Sequence, residues 1–332
     1  MPLPERLLIS RIARAAGLAS ERSRKQKLSR KFNARPITGI GDDCAVLRAT
    51  AETDLLVTTD FSLEGTHFRR EWHPPESVGH RCLARGLSDI GAMGGEPLTA
   101  FLSLALPPKI PQQWVDRFFR GLLKLAREFG VSLAGGDTAQ SRSGVLADII
   151  VIGAVPKGRA VLRSGAKPGD RIYVTGALGG SAATLNLLFS KRKKLDPKTF
   201  PRHFFPMPRI RVGTVLRKNK IPSAMIDISD GLSTDLSHIC EMSGVGAEIW
   251  PQAIPLAKIG KPAAPVELKF ALHGGDDYEL LFTAPRNTRV PREINGVTLT
   301  CIGEIVHGGR MLLVDESGSR AILKPQGWEH FR

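Results

Sequence analysis

The chain has 332 residues, enough for two domains with separate hydrophobic cores. Its composition, 42% hydrophobic and 24% charged, is typical of globular proteins and excludes the disordered and fibrous classes. The formal net charge is +15, from 47 basic and 32 acidic residues. Much of this excess lies in two basic segments, residues 22–31 and 191–194, which lack interleaved aromatic residues. We interpret them as solvated loops and do not expect a nucleic-acid partner.

The cysteine pattern and the lack of long apolar runs indicate a cytoplasmic protein. No apolar run is long enough to span a bilayer, and Arg11 and Arg14 interrupt the N-terminal apolar stretch that a signal peptide would need. The four cysteines are widely separated and form no C-x-x-C pair, so we expect reduced thiols and no zinc site. An organellar transit segment within the Arg-rich N-terminal stretch is the less favoured alternative.

Short strand-like runs alternate with longer helical stretches in the first half of the chain. Apolar residues between 76 and 93 recur with the 3.6-residue period of one helix face. Pro111 favours a helix start just before the second helical stretch. The pattern predicts helices at 76–93 and 112–129, and strands at 54–59, 100–106, 131–134 and 146–155.

A polar stretch that ends in the turn signal KPGD, at residues 167–170, separates the two halves. We predict an N-terminal α/β domain at residues 1–155 and a C-terminal α/β domain at 156–332. The alternation of elements predicts a mixed α/β fold class in both halves. Further helices are predicted at 182–189 and 232–242, and further strands at 171–174, 224–228, 279–283, 299–305 and 311–314.

Six segments share one arrangement, in which an apolar element delivers an aspartate into a turn rich in Gly, Ser or Thr. Each segment alone is explained as well by the preference of Asp and Gly for turns and helix caps. Repetition of the arrangement in a chain poor in acids favours a functional reading. Hard cations such as Mg²⁺ prefer oxygen ligands, so the set predicts metal-assisted chemistry on a polyphosphate. The segments are residues 39–43, 58–60, 88–89, 135–138, 227–231 and 274–279.

A glycine-rich loop at residues 176–181 precedes a predicted helix. Its backbone N–H groups suit a phosphate, and an ordinary strand-to-helix turn explains the loop equally well. The chain lacks a P-loop, a complete G-x-G-x-x-G and a G-x-S-x-G nucleophile elbow, and its eight histidines show no H-E-x-x-H spacing. The common alternative chemistries therefore fit poorly.

Seven motifs occur in order along the chain: GIGDDCAVL (39–47), TTDFSLEGTHF (58–68), LSDIGAMGGEP (87–97), GGDT (135–138), RSGAKPGD (163–170), IDISDGL (226–232) and GGDDYEL (274–280). Each motif is weak singly. As a set they closely resemble the thiamine-monophosphate kinase family, and the resemblance extends from about residue 39 to residues 327–331.

This resemblance implies ATP-dependent phosphorylation of thiamine monophosphate to thiamine diphosphate, the last step of thiamine diphosphate biosynthesis. It implies the two-domain architecture of aminoimidazole ribonucleotide synthetase, several Mg²⁺ ions as cofactors and ATP as co-substrate. The N-terminal domain would form a homodimer through its sheet, and the C-terminal domain would close over ATP and the substrate.

The resemblance also assigns roles to matching positions. Contacts to ATP are implied for Gly136, Asp137, Arg163 and Ser229. Contacts to thiamine phosphate are implied for His67, Asp276 and Trp328. Implied Mg²⁺ ligands are Asp43, Thr58, Thr59, Asp60, Asp89, Asp137, Asp227 and Asp230. Two positions depart from the family's pattern, since Asp276 replaces the usual Glu and Gly86 replaces the usual Asn.

No acid–base catalyst is expected, because the acceptor is a phosphate whose second pKa of about 6 leaves it largely ionised near neutral pH. Transfer would be direct and in line, without a covalent enzyme intermediate. Asp42 is expected to be a supporting, turn-forming neighbour of Asp43. Three alternatives stay open: a related ATP-using enzyme with another acceptor, a metal-dependent phosphatase and, ranked last, a basic nucleic-acid-binding protein.

Overall fold

A computed structural model describes residues 7, 9–11, 36–38, 41–191 and 194–330. The basic segment at 22–31, residues 39–40 of the first motif, residues 192–193 of the second basic segment and Phe331 lie outside this part of the chain. Within the described ranges, no helix combines the length and the apolar character that crossing a membrane requires.

A mixed sheet of six strands forms the first half of the described chain. Its strands are β1 (Pro36–Thr38), β2 (Ala45–Arg48), β3 (Thr53–Leu63), β4 (Glu96–Leu106), β5 (Ser132–Gln140) and β6 (Leu146–Pro156). They are arranged in the order β1-β2-β3-β6-β4-β5. Only the β4–β5 pair is parallel among these described strands. Because β5 is the last strand in this order, it is an edge strand.

Helices α1 (Pro75–Ala92) and α2 (Gln112–Phe129) pack together, and α1 lies against this sheet. Burial alternates along β3 and β6, because successive side chains of a strand point to opposite faces. The helix side carries fully buried residues such as Leu56, Ile149 and Val151, whereas the opposite face is left partly open to solvent.

The second half contains a mixed sheet of eight described strands. Its seven-strand path is β16-β15-β9-β14-β7-β12-β8, and β13 pairs with β14 beside it. The strands are β7 (Arg171–Thr175), β8 (Ala224–Asp227), β9 (Gly246–Ile249), β12 (Leu280–Ala284), β13 (Glu293–Ile294), β14 (Val297–Val306), β15 (Met311–Val314) and β16 (Arg320–Ile322). A separate small hairpin is formed by β10 (Lys258–Ile259) and β11 (Ala264–Pro265). The helices are α3 (Gly180–Lys191), α4 (Pro201–Phe204), α5 (Ile210–Lys218), α6 (Leu232–Ser243) and α7 (Leu268–His273).

Helix α1 also joins the two halves, because it packs against α5 as well as against the first sheet. A Cβ atom on Gly213 would lie 2.0 Å from the carbonyl oxygen of Gly91, so the helix backbones approach too closely for any side chain. The Arg217 Nε donates to the carbonyl oxygen of Gly94 (2.6 Å), just beyond the end of α1. The seam between the halves therefore lies along α1.

The mixed α/β fold class and the main predicted helices and strands are confirmed, with the helix at 112–129 matching α2 at both ends. Two aspartate segments were wrongly predicted to lie in turns. Residues 58–60 lie inside β3, since β3 pairs with β6 over its whole length, and residues 135–138 lie inside β5. Residues 88–89 lie inside α1, as the helix predicted at 76–93 requires, and not in a turn. Cross-strand pairing outweighs the turn preference of Asp and Gly at the two strand segments.

The close approach of α1 and α2 makes a stability prediction. A Cβ on Gly121 would lie 1.9 Å from the carbonyl oxygen of Glu76, so we expect Gly121→Ala to force the helices apart and lower the free energy of unfolding by about 1–3 kcal/mol. This loss should exceed the gain of about 1 kcal/mol in helix propensity. Urea unfolding measures it, with Gly309→Ala as a control because no atom lies within 4 Å of a Cβ there. Equal unfolding midpoints for the two variants would contradict the packing argument.

Candidate active site

Three carboxylates from separate elements meet at the seam. Asp43 lies just before β2, Asp89 lies in the last turn of α1, and Asp227 is the last residue of β8. One oxygen from each lies within 4.8 Å of the others, a spacing that would let all three share a cation. Three elements that are remote in sequence thus form one acidic cluster.

Burial makes this cluster unfavourable without a cation. Burial, reinforced by Asp43, raises the pKa of Asp227 to about 8, against the opposing hydrogen bond from the Ser88 hydroxyl (2.5 Å). Burial raises the pKa of Asp89 well above its usual range, and the neighbouring carboxylates Asp60, Asp227 and Asp43 raise it further. A divalent ion would relieve both effects, because it supplies the missing positive charge.

Strand β3 adds three oxygen-bearing side chains beside the cluster. The Thr58 hydroxyl donates to Asp89 Oδ2, and the Thr59 hydroxyl donates to Asp148 Oδ1 (2.7 Å). Burial raises the pKa of Asp60 to about 6, although Arg85 opposes the shift. Asp60 Oδ2 is buried and finds no hydrogen-bond partner among the described residues. This orphaned oxygen and the all-oxygen donor set fit Mg²⁺ better than a softer metal.

Arg163 forms a two-point ion pair with Asp43. Its Nη2 lies 2.8 Å from Asp43 Oδ1 and its Nε lies 3.2 Å from Oδ2. The backbone N–H groups of Asp43 (3.1 Å) and Arg163 (3.3 Å) donate to the Asp42 carboxylate, which therefore supports the loop from outside the cluster. Arg163 thus compensates one charge of the cluster and lies close enough to meet a phosphate held there.

A cavity of about 720 Å³ is lined both by carboxylates of the acidic cluster and by aromatic side chains. Asp60, Asp89 and Asp227 contribute to its lining together with Ser229 and Asp230. The aromatic residues that line it are Phe61, Trp72, Phe189, Tyr278 and Trp328. Phe61, Phe189 and Trp328 are each more than half exposed although their rings are apolar, so these rings are available to a ligand.

His67 and the C-terminal segment lie at this cavity. Burial lowers the pKa of His67 to about 3, so its ring is neutral near pH 7. The backbone N–H of Leu63 donates to His67 Nδ1 (2.9 Å), and the ring lies edge-on to His330 with centroids 5.5 Å apart. The backbone N–H of Trp328 donates to the carbonyl oxygen of Asp230 (3.1 Å), which fixes the C-terminal segment beside the acidic cluster.

Asp276 has two arginine partners. Arg81 Nη2 lies 2.8 Å from Oδ2, Arg85 Nη2 lies 3.2 Å from Oδ1, and the Tyr278 hydroxyl donates to Oδ1 (2.6 Å). Although burial acts in the opposite direction, Arg81 and Arg85 hold the pKa of Asp276 well below its usual range. The Asp276 carboxylate therefore holds the side chains of Arg81 and Arg85 in place.

Gly136 and Asp137 are not brought to the acidic cluster within the described chain. Both lie on the edge strand β5, three strands from β3, which corresponds to about 14 Å at the usual strand spacing. A Cβ on Gly136 would lie 1.8 Å from the carbonyl oxygen of Leu102, so only glycine fits. Asp137 is exposed, and its Oδ1 accepts the N–H of Thr138 (2.8 Å).

The loop at residues 176–181 is better explained as a structural turn. Asp277 is buried, and its carboxylate accepts the backbone N–H groups of Gly179 (2.6 Å) and Ser181 (3.4 Å). These donors, which were expected to suit a phosphate, are already satisfied. This part of the sequence-based hypothesis therefore loses its support.

The sequence analysis did not identify two polar residues and two aromatic residues of the site. The first, Arg85, precedes Asp89 by four positions, so the helical period alone predicts that both lie on the same face of α1. Asp148 carried no such signal, because it reaches Thr59 only through the pairing of β3 with β6. Trp72 and Phe189 also meet only in the folded chain, with ring centroids 4.8 Å apart.

The two halves of the chain match the two domains of one known class of proteins. Residues 41–155 match the N-terminal domain, and residues 167–316 the C-terminal domain, of AIR synthase related proteins. The two-domain architecture of that class is thereby confirmed.

The relatives narrow the assignment. The thiamine-monophosphate kinase of Escherichia coli strain K12 is 38% identical over 304 residues, which cover 88% of this chain and 91% of that protein. The solved structure described as AaThiL complexed with AMPPCP and TMP has a TM-score of 0.77 and 31% identity, covering 94% of this chain and 95% of that one. The thiamine-monophosphate kinase structure from Stenotrophomonas maltophilia K279a gives a TM-score of 0.72 and 34% identity, covering 91% of this chain and 96% of that one. The chain belongs to the thiamine-monophosphate kinase family.

The raised pKa of Asp227 predicts a pH-dependent instability of the metal-free protein. Unfolded Asp ionises near pH 4, whereas folded Asp227 keeps its proton up to about pH 8, so stability falls as pH rises from about 4 to 8. We expect Asp227→Asn to remove part of this loss and to stabilise the metal-free fold at pH 8 by at least about 1 kcal/mol, the equivalent of one pKa unit. Chemical denaturation in EDTA at pH 5 and pH 8 measures it.

Adding Mg²⁺ at pH 8 should raise the stability of the original protein by more than it raises the stability of the Asp227→Asn variant. The exposed Asp116, on α2, supplies the matched control Asp116→Asn, which should behave as the original chain does. A variant at Asp227 that is less stable than the original at pH 8 in EDTA would refute the electrostatic account.

Proposed function

We propose that this protein phosphorylates thiamine monophosphate with ATP to give thiamine diphosphate, the last step of thiamine diphosphate biosynthesis, in the cytoplasm. The observation that carries the proposal is one cavity whose lining combines carboxylates spaced for a cation with aromatic rings. Such a lining fits an acceptor that carries both a phosphate and a flat organic group. The relatives named above support the identity of that acceptor.

The acidic cluster is suited to two phosphate groups that must approach each other. Mg²⁺ ions held by Asp43, Asp60, Asp89 and Asp227, with Thr58, Thr59 and Asp230 beside them, would neutralise phosphoryl oxygens and align the reacting groups. The two-point contact of Arg163 with Asp43 keeps a guanidinium at the same place, where it is positioned to contact ATP. Ser229 lines the cavity beside these groups and is assigned the same role.

The aromatic lining suits the rings of thiamine, one of which is a permanent cation. Aromatic faces attract such cations, and the exposed rings of Phe61, Phe189 and Trp328 line the cavity. His67 also lines the cavity and is neutral near pH 7, so it contacts the substrate without adding charge. No side chain is required as a general base, because the acceptor phosphate is largely ionised near neutral pH.

A product assay tests this proposal. Incubation with ATP, Mg²⁺ and thiamine monophosphate, followed by chromatography, should give thiamine diphosphate and ADP in equal amounts. Asp89→Asn should lower turnover by about a hundredfold or more, because it removes a charge that holds the reacting phosphates. Asp116→Asn is again the control and should retain normal turnover.

Acceptor and donor controls separate the remaining functions. Phosphate release without ATP would indicate a phosphatase, and turnover of another phosphorylated acceptor in place of thiamine monophosphate would indicate a different kinase. Either result would replace the proposed activity.

We also propose a homodimer formed through the open face of the first sheet. Apolar side chains on that face are only partly covered in one chain, and the edge strand β5 is largely exposed. Pairing would cover both and would place Gly136 and Asp137 at the contact, where a neighbouring chain's nucleotide could be reached. The partly covered apolar residues of the face are Leu55, Val57, Phe101, Ile150 and Ile152.

The dimer proposal predicts a mass of twice 36.1 kDa in solution. Light scattering coupled to size exclusion measures it. Ile150→Glu should yield a monomer, because it buries a charge in the apolar contact. Met242→Glu, at an exposed apolar position on α6, is the matched control and should remain dimeric. A monomeric original chain at micromolar concentration would contradict the proposal.

A further inference from the structure

Arg85 is a buried cation that lines the same cavity as the acidic cluster and the aromatic rings. It lies one helical turn before Asp89 on α1, a separation of about 6 Å along the helix. Its side chain is only 14% exposed. An acceptor whose phosphate oxygens reach the cluster at Asp89 therefore brings that phosphate close to Arg85.

The guanidinium of Arg85 has unused hydrogen-bonding capacity. An arginine side chain has five N–H donors in a planar fork. Its Nη2 bonds Asp276 at a long 3.2 Å, and its Nε is buried without a hydrogen-bond partner in the described part of the chain. A buried donor without a partner is unfavourable, so a ligand oxygen at this position would be stabilised.

Asp276 pairs less closely with Arg85 than with Arg81. The charge of Asp60 also acts on Arg85, but it supplies no partner for the buried Nε. Asp276 is already neutralised by Arg81 at 2.8 Å and receives a further hydrogen bond from Tyr278 at 2.6 Å. The Arg81 side chain is 4% exposed and is held by the carbonyl oxygen of His203 as well, so it is a structural partner. The weaker contact from Asp276 therefore orients Arg85 without satisfying it.

We propose that Arg85 binds the phosphate of the acceptor and orients it for attack, which rests on the proposed function. The planar fork of arginine matches two phosphate oxygens at once, a geometry that a lysine ammonium does not reproduce. An acceptor oxygen forms a bond to the γ-phosphorus of ATP while the bond from that phosphorus to the β–γ bridging oxygen breaks and ADP leaves. Arg85 keeps its proton throughout and is a catalytic residue because it touches the reacting phosphate. Asp276 is a positioning residue that acts through it.

Binding of two ligands that differ only in the phosphate tests this assignment. Calorimetry without ATP compares thiamine monophosphate with thiamine on the full chain and on Arg85→Gln. We expect Arg85→Gln to weaken thiamine monophosphate about tenfold to a hundredfold, the range for losing a charge-assisted hydrogen bond, and to change thiamine less than about twofold. Arg85→Lys keeps the charge without the fork and should lose the phosphate preference in part.

Arg120→Gln is the matched control for net charge, because Arg120 is 68% exposed on α2 and contacts Glu76 at 3.5 Å. It should bind both ligands as the original chain does. Equal weakening of both ligands in Arg85→Gln, or no weakening of either, would overturn the assignment. If Arg85→Gln does not fold, the same selective weakening is required of Arg85→Lys, and its absence overturns the assignment equally.

The product assay on the original chain keeps this inference separate from the proposed function. Formation of thiamine diphosphate with no selective effect at Arg85 would refute the role of Arg85 alone. Failure of the original chain to convert thiamine monophosphate would refute the proposed function itself.

Discussion

Mutual repulsion among buried aspartates is the constraint on which the rest of the structure depends. Asp43, Asp60, Asp89 and Asp227 come from four elements and are held where water cannot screen them, so each raises the cost of ionising its neighbours. Arg163 and the hydroxyl groups of Ser88 and Thr58 compensate only part of that charge. The acidic cluster therefore lowers the stability of the metal-free fold, and a bound cation would restore it.

Helix α1 carries Asp89, one member of this acidic cluster, at the seam between the two halves. Its glycines allow other backbones to approach closely. A Cβ on Gly79 would lie 2.0 Å from the carbonyl oxygen of Phe118 on α2, and a Cβ on Gly213 of α5 would lie 2.0 Å from that of Gly91. The polar side chains of α1 serve two groups of the site. Arg81 and Arg85 contact Asp276, and Asp89 belongs to the acidic cluster. Packing and chemistry therefore share one element, so a shift of α1 would disturb both together.

One cavity presents charges of both signs together with aromatic rings, a combination that suits a phosphorylated organic acceptor. Its lining includes carboxylates of the acidic cluster, the cation Arg85 and the neutral ring of His67. The shorter side chain of Asp276, in place of the Glu that the family resemblance led us to expect, reaches two arginines and a tyrosine. Under the proposed function, Asp276 would act on the substrate through Arg85.

The amino-acid sequence by itself determined the mixed α/β fold class, the main helices and strands, and the set of aspartates, because hydrophobic periodicity and short motifs are local properties. Only the tertiary structure decided which of these residues meet. It placed residues 58–60 within β3 and Asp137 on the edge strand β5, and it joined Trp72 to Phe189. It also put Arg85 among Asp60, His67 and Asp276. Strand pairing and helix packing act between residues distant in the chain, so no local pattern records them.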